Sequence, residues 1–179
     1  MAEAGFRQEF LETHNKLREL HSASPLKYNS ELNAAAQKWA EYLVTKGDLD
    51  HSKTEDGENV FFMSSSKPIK ATGKEAVDSW YSEIKDYDWN NPGFQSNTGH
   101  FTQVVWKSST ELGVGVGVTT DGNTLFVVGQ YRPPGNVLGS FPENVDKKSS
   151  AGGDTAAAHN TSSKEKEVRP KKKKTCTLL

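Results

Sequence analysis

Apolar side chains recur at three- and four-residue intervals over residues 6–21 and again over residues 32–43. This spacing places them on one face of an α-helix, so both stretches are predicted to be amphipathic helices. Pro25 marks a turn after the first helix. Ser30 can cap the start of the second helix and Gly47 can end it, since serine accepts amide hydrogen bonds there and glycine adopts the left-handed conformation.

A third helix is predicted to begin after Thr72. Thr72 and Glu75 have the spacing of an N-terminal capping box. The apolar residues that follow keep the helical period as far as Ile84, which places Glu83 on the same helix.

Short apolar runs at residues 104–106, 112–118 and 125–131 predict three strands. Asp121-Gly122 stands between the last two runs and is a strong hairpin signal. Alternating glycines leave one face of the middle strand bare, so that another backbone can approach it closely; they are Gly113, Gly115 and Gly117. Helices before and between strands predict an α+β fold.

Charge and composition change near residue 145. The whole chain has a formal charge of −1. Residues 146–179 carry nine Lys/Arg and four Asp/Glu, whereas residues 1–145 carry thirteen and nineteen. The second segment has few large apolar side chains and cannot bury enough surface to offset the entropy of ordering. We therefore predict a folded domain at 1–145 and a flexible basic tail at 146–179, with an anionic partner for the tail.

The use of cysteine predicts a reducing compartment. Cys176 is the only cysteine of the 179 residues, so no disulfide can form within the chain. Residues 1–7 contain no apolar signal-peptide core, and no apolar run has the length of a membrane span. These features predict a protein that is made and kept in the cytosol.

Four motifs occur in order along the chain: HNKLR at 14–18, GENV at 57–60, GHFTQVVW at 99–106 and QYRPPGNV at 130–137. Together they resemble the CAP superfamily of cysteine-rich secretory, antigen 5 and pathogenesis-related-one proteins, and in particular its intracellular, Golgi-associated branch. The resemblance covers residues 6–145 and implies a three-layer α-β-α sandwich. Secreted members usually carry a cysteine where Gly129 stands here, and this departure agrees with a reducing compartment.

Two imidazoles and two carboxylates are the candidate site residues: His51, Glu58, Glu83 and His100. Such groups can hold a divalent metal or move a proton. The resemblance implies that they line one solvent-open cleft and that His51 and His100 can hold zinc. A structural polar network is the alternative. Ser52 is a weak candidate nucleophile, and the chain has no His-Glu-x-x-His helix or Gly-x-Ser-x-Gly elbow.

Other polar and apolar groups are predicted to be structural. His14, Asn15 and Arg18 are predicted to form a buried network that ties the first helix to its neighbours. The apolar run at residues 61–63 is predicted to belong to the core, with the edge of an apolar ligand groove as the alternative.

The last four residues, Cys176-Thr177-Leu178-Leu179, have the pattern of a prenylation box, and the terminal leucine favours geranylgeranyl. A polybasic patch is the usual second signal beside a single lipid chain. Here that patch is predicted to be Arg169, Lys171, Lys172, Lys173 and Lys174. A nuclear-localisation or RNA-binding segment is the alternative, although it would need no terminal cysteine.

The sequence therefore predicts a membrane-tethered CAP domain that is not an enzyme. Its predicted location is the cytoplasmic face of the Golgi, of other endomembranes or of the plasma membrane. The resemblance implies a sterol or acidic phospholipid as ligand, zinc as the candidate cofactor, and a second copy or another protein as partner; nucleic acid is not predicted. The alternative is a metal-dependent hydrolase that uses His51, Glu58, Glu83 and His100.

Overall fold

Five strands form one sheet in the computed structural model, which describes residues 3–149 and the backbone of residues 172–177. They are β1 (Lys27–Tyr28), β2 (Gly57–Ser64), β3 (Glu111–Val118), β4 (Thr124–Arg132) and β5 (Lys172–Thr177). The spatial order is β1-β3-β4-β2-β5. β1 lies parallel to β3, and the other neighbours are antiparallel.

Helices cover both faces of this sheet. They are α1 (Ala4–Leu20), α2 (Ser30–Lys46), α3 (Gly73–Tyr81), α4 (Gly99–Val105) and the short α5 (Phe141–Asn144), with a 3-10 turn at Ser82–Asp86. α2 packs on β3 and β4, whereas α1, α3 and α4 contact one another on the opposite side. The α+β class and the three-layer α-β-α arrangement are thus confirmed.

The alternating glycines of β3 bring α2 unusually close to the sheet. A Cβ on Gly113 would lie 2.3 Å from the carbonyl carbon of Leu32, and one on Gly115 would lie 2.2 Å from that of Ala36. The side chain of Gln37 reaches across this interface to hydrogen-bond the backbone of Val116. The predicted close approach is therefore confirmed, with a helix as the element that approaches.

Helix ends follow the predicted signals with one change. Thr72 accepts a hydrogen bond from the Glu75 amide at 3.2 Å, and Gly47 ends α2 at φ 75°. Asn29 caps α2 in place of Ser30, because its side chain accepts from the second and third amides of the helix. Ser30 is the first residue inside the helix.

Two predicted elements differ from the observed ones. Residues 104–106 were predicted to be a strand, but Gly99–Val105 form helix α4, and every residue of α4 is buried. Total burial removes the apolar–polar alternation from which a helical period could be read. Glu83 lies in the 3-10 turn at Ser82–Asp86, which follows the end of α3.

The apolar run at residues 61–63 lies in β2, a strand that the sequence did not identify. Phe61 and Met63 are buried and Phe62 is half-buried, so the core interpretation agrees with the structure. The far edge of β2 pairs with β5, in which Thr177 stands opposite Asn59 and Lys172 opposite Ser64. Regular structure at Lys172–Thr177 was not expected, and the open edge of β2 provides its hydrogen-bond partners.

Candidate functional site

One half of the site is built around Glu58, which lies on β2 opposite Gln130 of β4. Its Oε1 accepts hydrogen bonds from His51 Nδ1 at 2.8 Å and from the Ser52 amide at 2.9 Å. Its Oε2 accepts from the Ser52 hydroxyl and from Gln130 Nε2, the latter at 3.1 Å. The loop before β2 therefore turns two neighbouring residues, His51 and Ser52, toward one buried carboxylate.

These hydrogen bonds keep Glu58 ionised. Burial by itself raises the pKa of this carboxyl group, but the donors from His51, Ser52 and Gln130 outweigh it, and the net pKa is lowered. An ionised Glu58 accepts a hydrogen bond from His51 Nδ1–H and so fixes the tautomer of that ring. The same carboxylate also accepts a hydrogen bond from the Ser52 hydroxyl.

The other half of the site pairs His100, at the start of α4, with Glu83. His100 Nδ1 lies 2.7 Å from Glu83 Oε1. Glu83 Oε2 also accepts from the backbone amides of His100 at 3.0 Å and Phe101 at 3.1 Å. A carboxylate is favoured at a helix N-terminus by the unpaired amides there. The His100 ring lies nearly parallel to the indole of Trp80, at 7° and 6.4 Å.

Two further motif residues hold the two halves together. Asn59, next to Glu58, donates from its side chain to the His100 carbonyl at 3.1 Å. Asn136, from the QYRPPGNV motif, donates to the carbonyl of Gly99 at 2.9 Å and accepts from the Thr102 hydroxyl. The motifs that are far apart in sequence thus meet around the start of α4.

The donor set can be compared with what zinc requires. Each histidine uses Nδ1 for a carboxylate, which is the usual outer-shell arrangement of zinc-ligating histidines and makes Nε2 the ligating nitrogen. His100 Nε2 is buried and has no hydrogen-bond partner. Within residues 3–149, no three His, Cys, Asp or Glu side chains come together as a metal site. The contact of each Nδ1 with a carboxylate therefore fits a zinc-ligating histidine, and the zinc role of His51 and His100 stays a prediction.

The site is more enclosed than the cleft implied by the resemblance. Glu58 is 1% exposed and His100 is 3% exposed, whereas His51 and Glu83 are half-buried. Gln130 was missed as a site residue although it stands at the head of the last motif, and Ser52 was considered only as a nucleophile. The strand register that sets Gln130 opposite Glu58 could not be read from the sequence.

A groove of about 390 Å³ adjoins the Glu58 half of the site. Ser52 and Gln130 form its inner end. Trp39 and Tyr42 of α2 form an aromatic ledge, with ring centroids 4.8 Å apart and an interplanar angle of 26°. The ammonium-bearing side chains of the groove are Lys38 and Lys53. The groove therefore combines an apolar shelf with positive charge.

The HNKLR motif is structural, as predicted. His14 Nδ1 lies 2.8 Å from the Phe10 carbonyl, so it carries the proton, and Nε2 accepts from the Tyr131 hydroxyl at 2.8 Å. Burial lowers the pKa of His14 to about 3. His21 is held in the same way by the Asp146 carbonyl and the Tyr81 hydroxyl, and burial lowers its pKa as well. Both histidines are therefore neutral parts of the core.

These two histidines should make the fold sensitive to acid. Their pKa is lower in the folded chain than the value of about 6.5 in the unfolded chain. The free energy of unfolding should therefore be highest above pH 6.5 and fall as the pH drops below it, by up to about 1.4 kcal/mol per pH unit for each histidine; for His14 this loss continues toward its folded pKa of about 3. Urea titrations at pH 7, 6 and 5 measure this loss. A His21→Gln control should show a shallower loss, and an equal slope would contradict the assignment.

Helices on both faces of a mixed sheet, with histidine–glutamate pairs at β2 and α4, define a CAP-type domain. The chain belongs to the family "CAP: Cysteine-rich secretory protein family", whose sequence pattern matches residues 11–131. It is 44% identical over 146 residues to the human (Homo sapiens) Golgi-associated plant pathogenesis-related protein 1, a match that covers 78% of this chain and 92% of that protein.

Solved structures agree with this assignment. The structure of BmVAL-1 has a TM-score of 0.64 at 26% identity and covers 82% of both chains. The crystal structure of NaASP2 with Zn²⁺ has the same TM-score and identity, and covers 82% of this chain and 87% of that one. Proteins of the CAP family are generally non-catalytic.

The predicted tail residues are placed only in part. Cys176, Lys172, Lys173 and Lys174 lie in β5, where Cys176 stands opposite Val60. Arg169 and Lys171 lie outside the described residues. In the described part of the chain, none of the helices combines the length and the apolar character that crossing a bilayer demands.

Proposed function

We propose that this chain is a membrane-tethered CAP domain that binds acidic phospholipid, holds zinc between His51 and His100, and does not act as an enzyme. The observation that carries the lipid part is the groove beside Glu58. An acyl chain or sterol ring can lie on the Trp39–Tyr42 ledge, and an anionic headgroup would lie near Lys38 and Lys53. A protein partner with an acidic, apolar surface is the second candidate for the same groove.

The lipid proposal can be tested with unprenylated protein and a short-chain phosphatidylserine kept below its micelle concentration. The Lys38→Gln/Lys53→Gln variant should bind at least about fivefold more weakly, since each basic contact contributes on the order of 1 kcal/mol. Tyr42→Ala should also weaken binding, because it removes half of the ledge. Backbone NMR shifts report both affinity and location.

The matched control for the lipid experiment is Lys27→Gln/Lys85→Gln, which removes two exposed lysines outside the groove. It should bind like the natural chain. Equal weakening in both double variants would mean that net charge, and not the groove, attracts the lipid. A partner protein would be favoured if no lipid shifts the groove amides.

The zinc part rests on the two histidine–glutamate pairs. His51 and His100 would hold the ion through Nε2, while Glu58 and Glu83 orient the rings through Nδ1. Bound zinc would supply a Lewis-acidic centre with positions left for water or a ligand oxygen. The buried, unpartnered Nε2 of His100 supports this assignment. So does the relative NaASP2, whose structure was solved with Zn²⁺.

Replacing both histidines should abolish zinc binding. Calorimetry on His51→Ala/His100→Ala should show no heat of zinc binding, whereas the control His159→Ala, a histidine of the tail, should bind like the natural chain. The affinity of the natural chain should fall on acidification, because protons compete for the ligating nitrogens. Undiminished binding in the double variant would exclude these histidines. Circular dichroism checks that the variant folds.

A metal-dependent hydrolase remains the second candidate, because two imidazoles and an ionised carboxylate lie in one region. Its test is a screen of peptide, ester and phosphodiester substrates with and without zinc. Turnover that disappears in both Glu58→Gln and His100→Ala would favour the hydrolase, since loss of a general base costs roughly 10²–10⁴ in rate. We expect no turnover above background, because catalytic zinc sites use three protein ligands and no such group of side chains forms within residues 3–149.

The tether is proposed from the C-terminal sequence. The Cys176 sulfur would attack the first carbon of geranylgeranyl diphosphate, so that a C–S bond forms, the C–O bond breaks, diphosphate leaves and the thiol proton passes to solvent. Together with the basic residues, this lipid would hold the domain on the cytoplasmic face of Golgi or other membranes. The human relative is named as a Golgi-associated protein, which supports this location.

A further inference from the structure

The edge of β2 that faces away from β4 is a strand-addition site. β2 is eight residues long and carries the run Val60-Phe61-Phe62-Met63. It pairs with β4 along one edge, which leaves the other edge open to a further strand. A long apolar edge strand that is left open attracts other strands and promotes aggregation. In this structure, the backbone of Lys172–Thr177 fills that edge in an antiparallel register. The occupant is thus the segment that ends in the predicted prenylation box.

We propose that docking of residues 172–177 on β2 and membrane anchoring through Cys176 exclude each other. This inference rests on the proposed prenyl tether. In the docked strand, Cys176 is opposite Val60, a fully buried residue, and Thr177 is opposite Asn59. Pairing with β2 holds residues 176 and 177, two of the four residues of the predicted prenylation box, on the sheet. An enzyme that modifies the last four residues also needs them free of the sheet.

The segment that connects the body to β5 is long enough for both the docked and the membrane-anchored state. Residues 150–171 separate the last described residue of the body from β5. At about 3.3–3.6 Å per residue when extended, this connection can reach back to β2 or carry the chain end well away from the domain. A single lipid chain binds a membrane only marginally, and β5 is joined to the sheet along one edge only, through β2, so neither state is locked. Modification or an anionic leaflet then shifts the population.

The docked state places the chain end beside the candidate site. Asn59 pairs with Thr177 in register and donates to the carbonyl of His100. β5 also contacts α4, the helix that begins beside His100. Release of the strand would therefore expose both the edge of β2 and the approach to α4 in the membrane-bound protein.

Disulfide trapping tests the docked register. Residues directly opposite in an antiparallel pair have Cα atoms about 4.5–5.5 Å apart, which is within disulfide range. Val60→Cys should therefore cross-link to the natural Cys176 within one chain under mild oxidation. Ser64→Cys is the matched control with the same number of thiols, and it should not cross-link because its register partner is Lys172, four positions from Cys176.

A second trap protects the test against misfolding of Val60→Cys. Ser64→Cys/Lys172→Cys, in a Cys176→Ser background, joins two register partners without changing the core. It should also cross-link within one chain. If neither trap closes, or if Ser64→Cys cross-links to Cys176 as readily as Val60→Cys, the docked strand is excluded. Cross-links between two chains would make a second copy the occupant of β2 and overturn the intramolecular proposal.

Mutual exclusion is measured by prenylation in vitro. For this test the Ser64→Cys/Lys172→Cys variant keeps its natural Cys176. The protein is oxidised, and mass spectrometry of its peptides verifies that the disulfide joins positions 64 and 172. The protein is then incubated with geranylgeranyl diphosphate and a type I geranylgeranyltransferase. The oxidised protein should be modified at least about threefold more slowly than the same protein after reduction, because its chain end is held on the sheet. Equal rates would overturn the exclusion. No modification in either form would instead refute the proposed tether and leave the docking result standing.

Discussion

Replacing Arg18 with methionine should lower the free energy of unfolding by about 3–5 kcal/mol, more than any other change to a single polar side chain of the body. Arg18 is fully buried in α1. Its guanidinium donates to the carbonyls of Ser24 at 2.8 Å, Val104 at 3.1 Å, Trp106 at 2.8 Å and Ser109 at 2.8 Å. These bonds tie α1 to the end of α4 and to the turn that follows it.

The size of this effect follows from what methionine leaves behind. It fills most of the space but donates to none of the four carbonyls. The Trp106 carbonyl keeps the Ser109 amide as a donor at 3.2 Å, whereas an acceptor left unsatisfied costs about 1–3 kcal/mol. Burial removes water from the guanidinium and lowers the pKa of Arg18 to about 10. The total free energy of unfolding of a domain of this size is about 5–15 kcal/mol. The variant should therefore be only marginally folded at physiological temperature.

Urea unfolding of Arg18→Met and of Lys16→Met provides the comparison. Lys16 lies two residues away on the same helix and is exposed. Its replacement should change the free energy of unfolding by no more than about 0.5 kcal/mol. If both variants unfold at the same urea concentration, the carbonyl cluster does not depend on Arg18.

The sequence identified the helices best where one face is exposed. In α1, α2 and α3 the apolar period survives because part of each helix meets solvent. Thr72 marks the start of α3 as predicted, whereas the cap of α2 is Asn29, one residue before the predicted Ser30. α4 has no exposed face, so its residues carry no period. The apolar run of β2 is equally ambiguous in sequence, because a short buried run is consistent with either a strand or a helix.

The candidate site was predicted as four residues but is built from more. The resemblance supplied His51, Glu58, Glu83 and His100, and each histidine does lie against a glutamate. The pairing itself follows from contacts between the 3-10 turn and α4, and between the loop before β2 and β2 itself, while β4 adds Gln130. No spacing in the sequence encodes those contacts, which is why Gln130 could not be assigned to the site beforehand.

Burial also changes the interpretation of the site. A carboxylate that receives four hydrogen bonds, as Glu58 does, is stabilised as an anion and is poorly placed to deliver a proton. The same network holds the ends of β2 and β4 together. Structural and metal-binding roles are therefore compatible here, because the hydrogen bonds that fix the fold are also those that orient the two imidazole rings.

Replacing Cys176 with serine should move the protein from the membrane fraction to the soluble fraction of eukaryotic cells. The thiol is the only attachment atom for the predicted lipid, and serine keeps nearly the same size. The remaining basic residues contribute on the order of 1 kcal/mol each near an anionic leaflet, and salt screens them over about 10 Å at roughly 0.1 M. They cannot hold the domain alone at physiological salt. Fractionation, with the mass of the C-terminal peptide, measures the outcome.

Two variants separate the lipid from the charge. Leu179→Ser keeps the cysteine but changes the last residue to one that favours farnesyl, so the protein should stay on membranes with a lighter C-terminal peptide. A variant with glutamine in place of the four lysines at 171–174 should carry a lipid of unchanged mass but bind membranes more weakly. The membrane binding that remains should depend less on salt. A Cys176→Ser protein that still sediments with membranes would show that the domain surface, with its Trp39–Tyr42 groove, is sufficient for binding without any prenyl group.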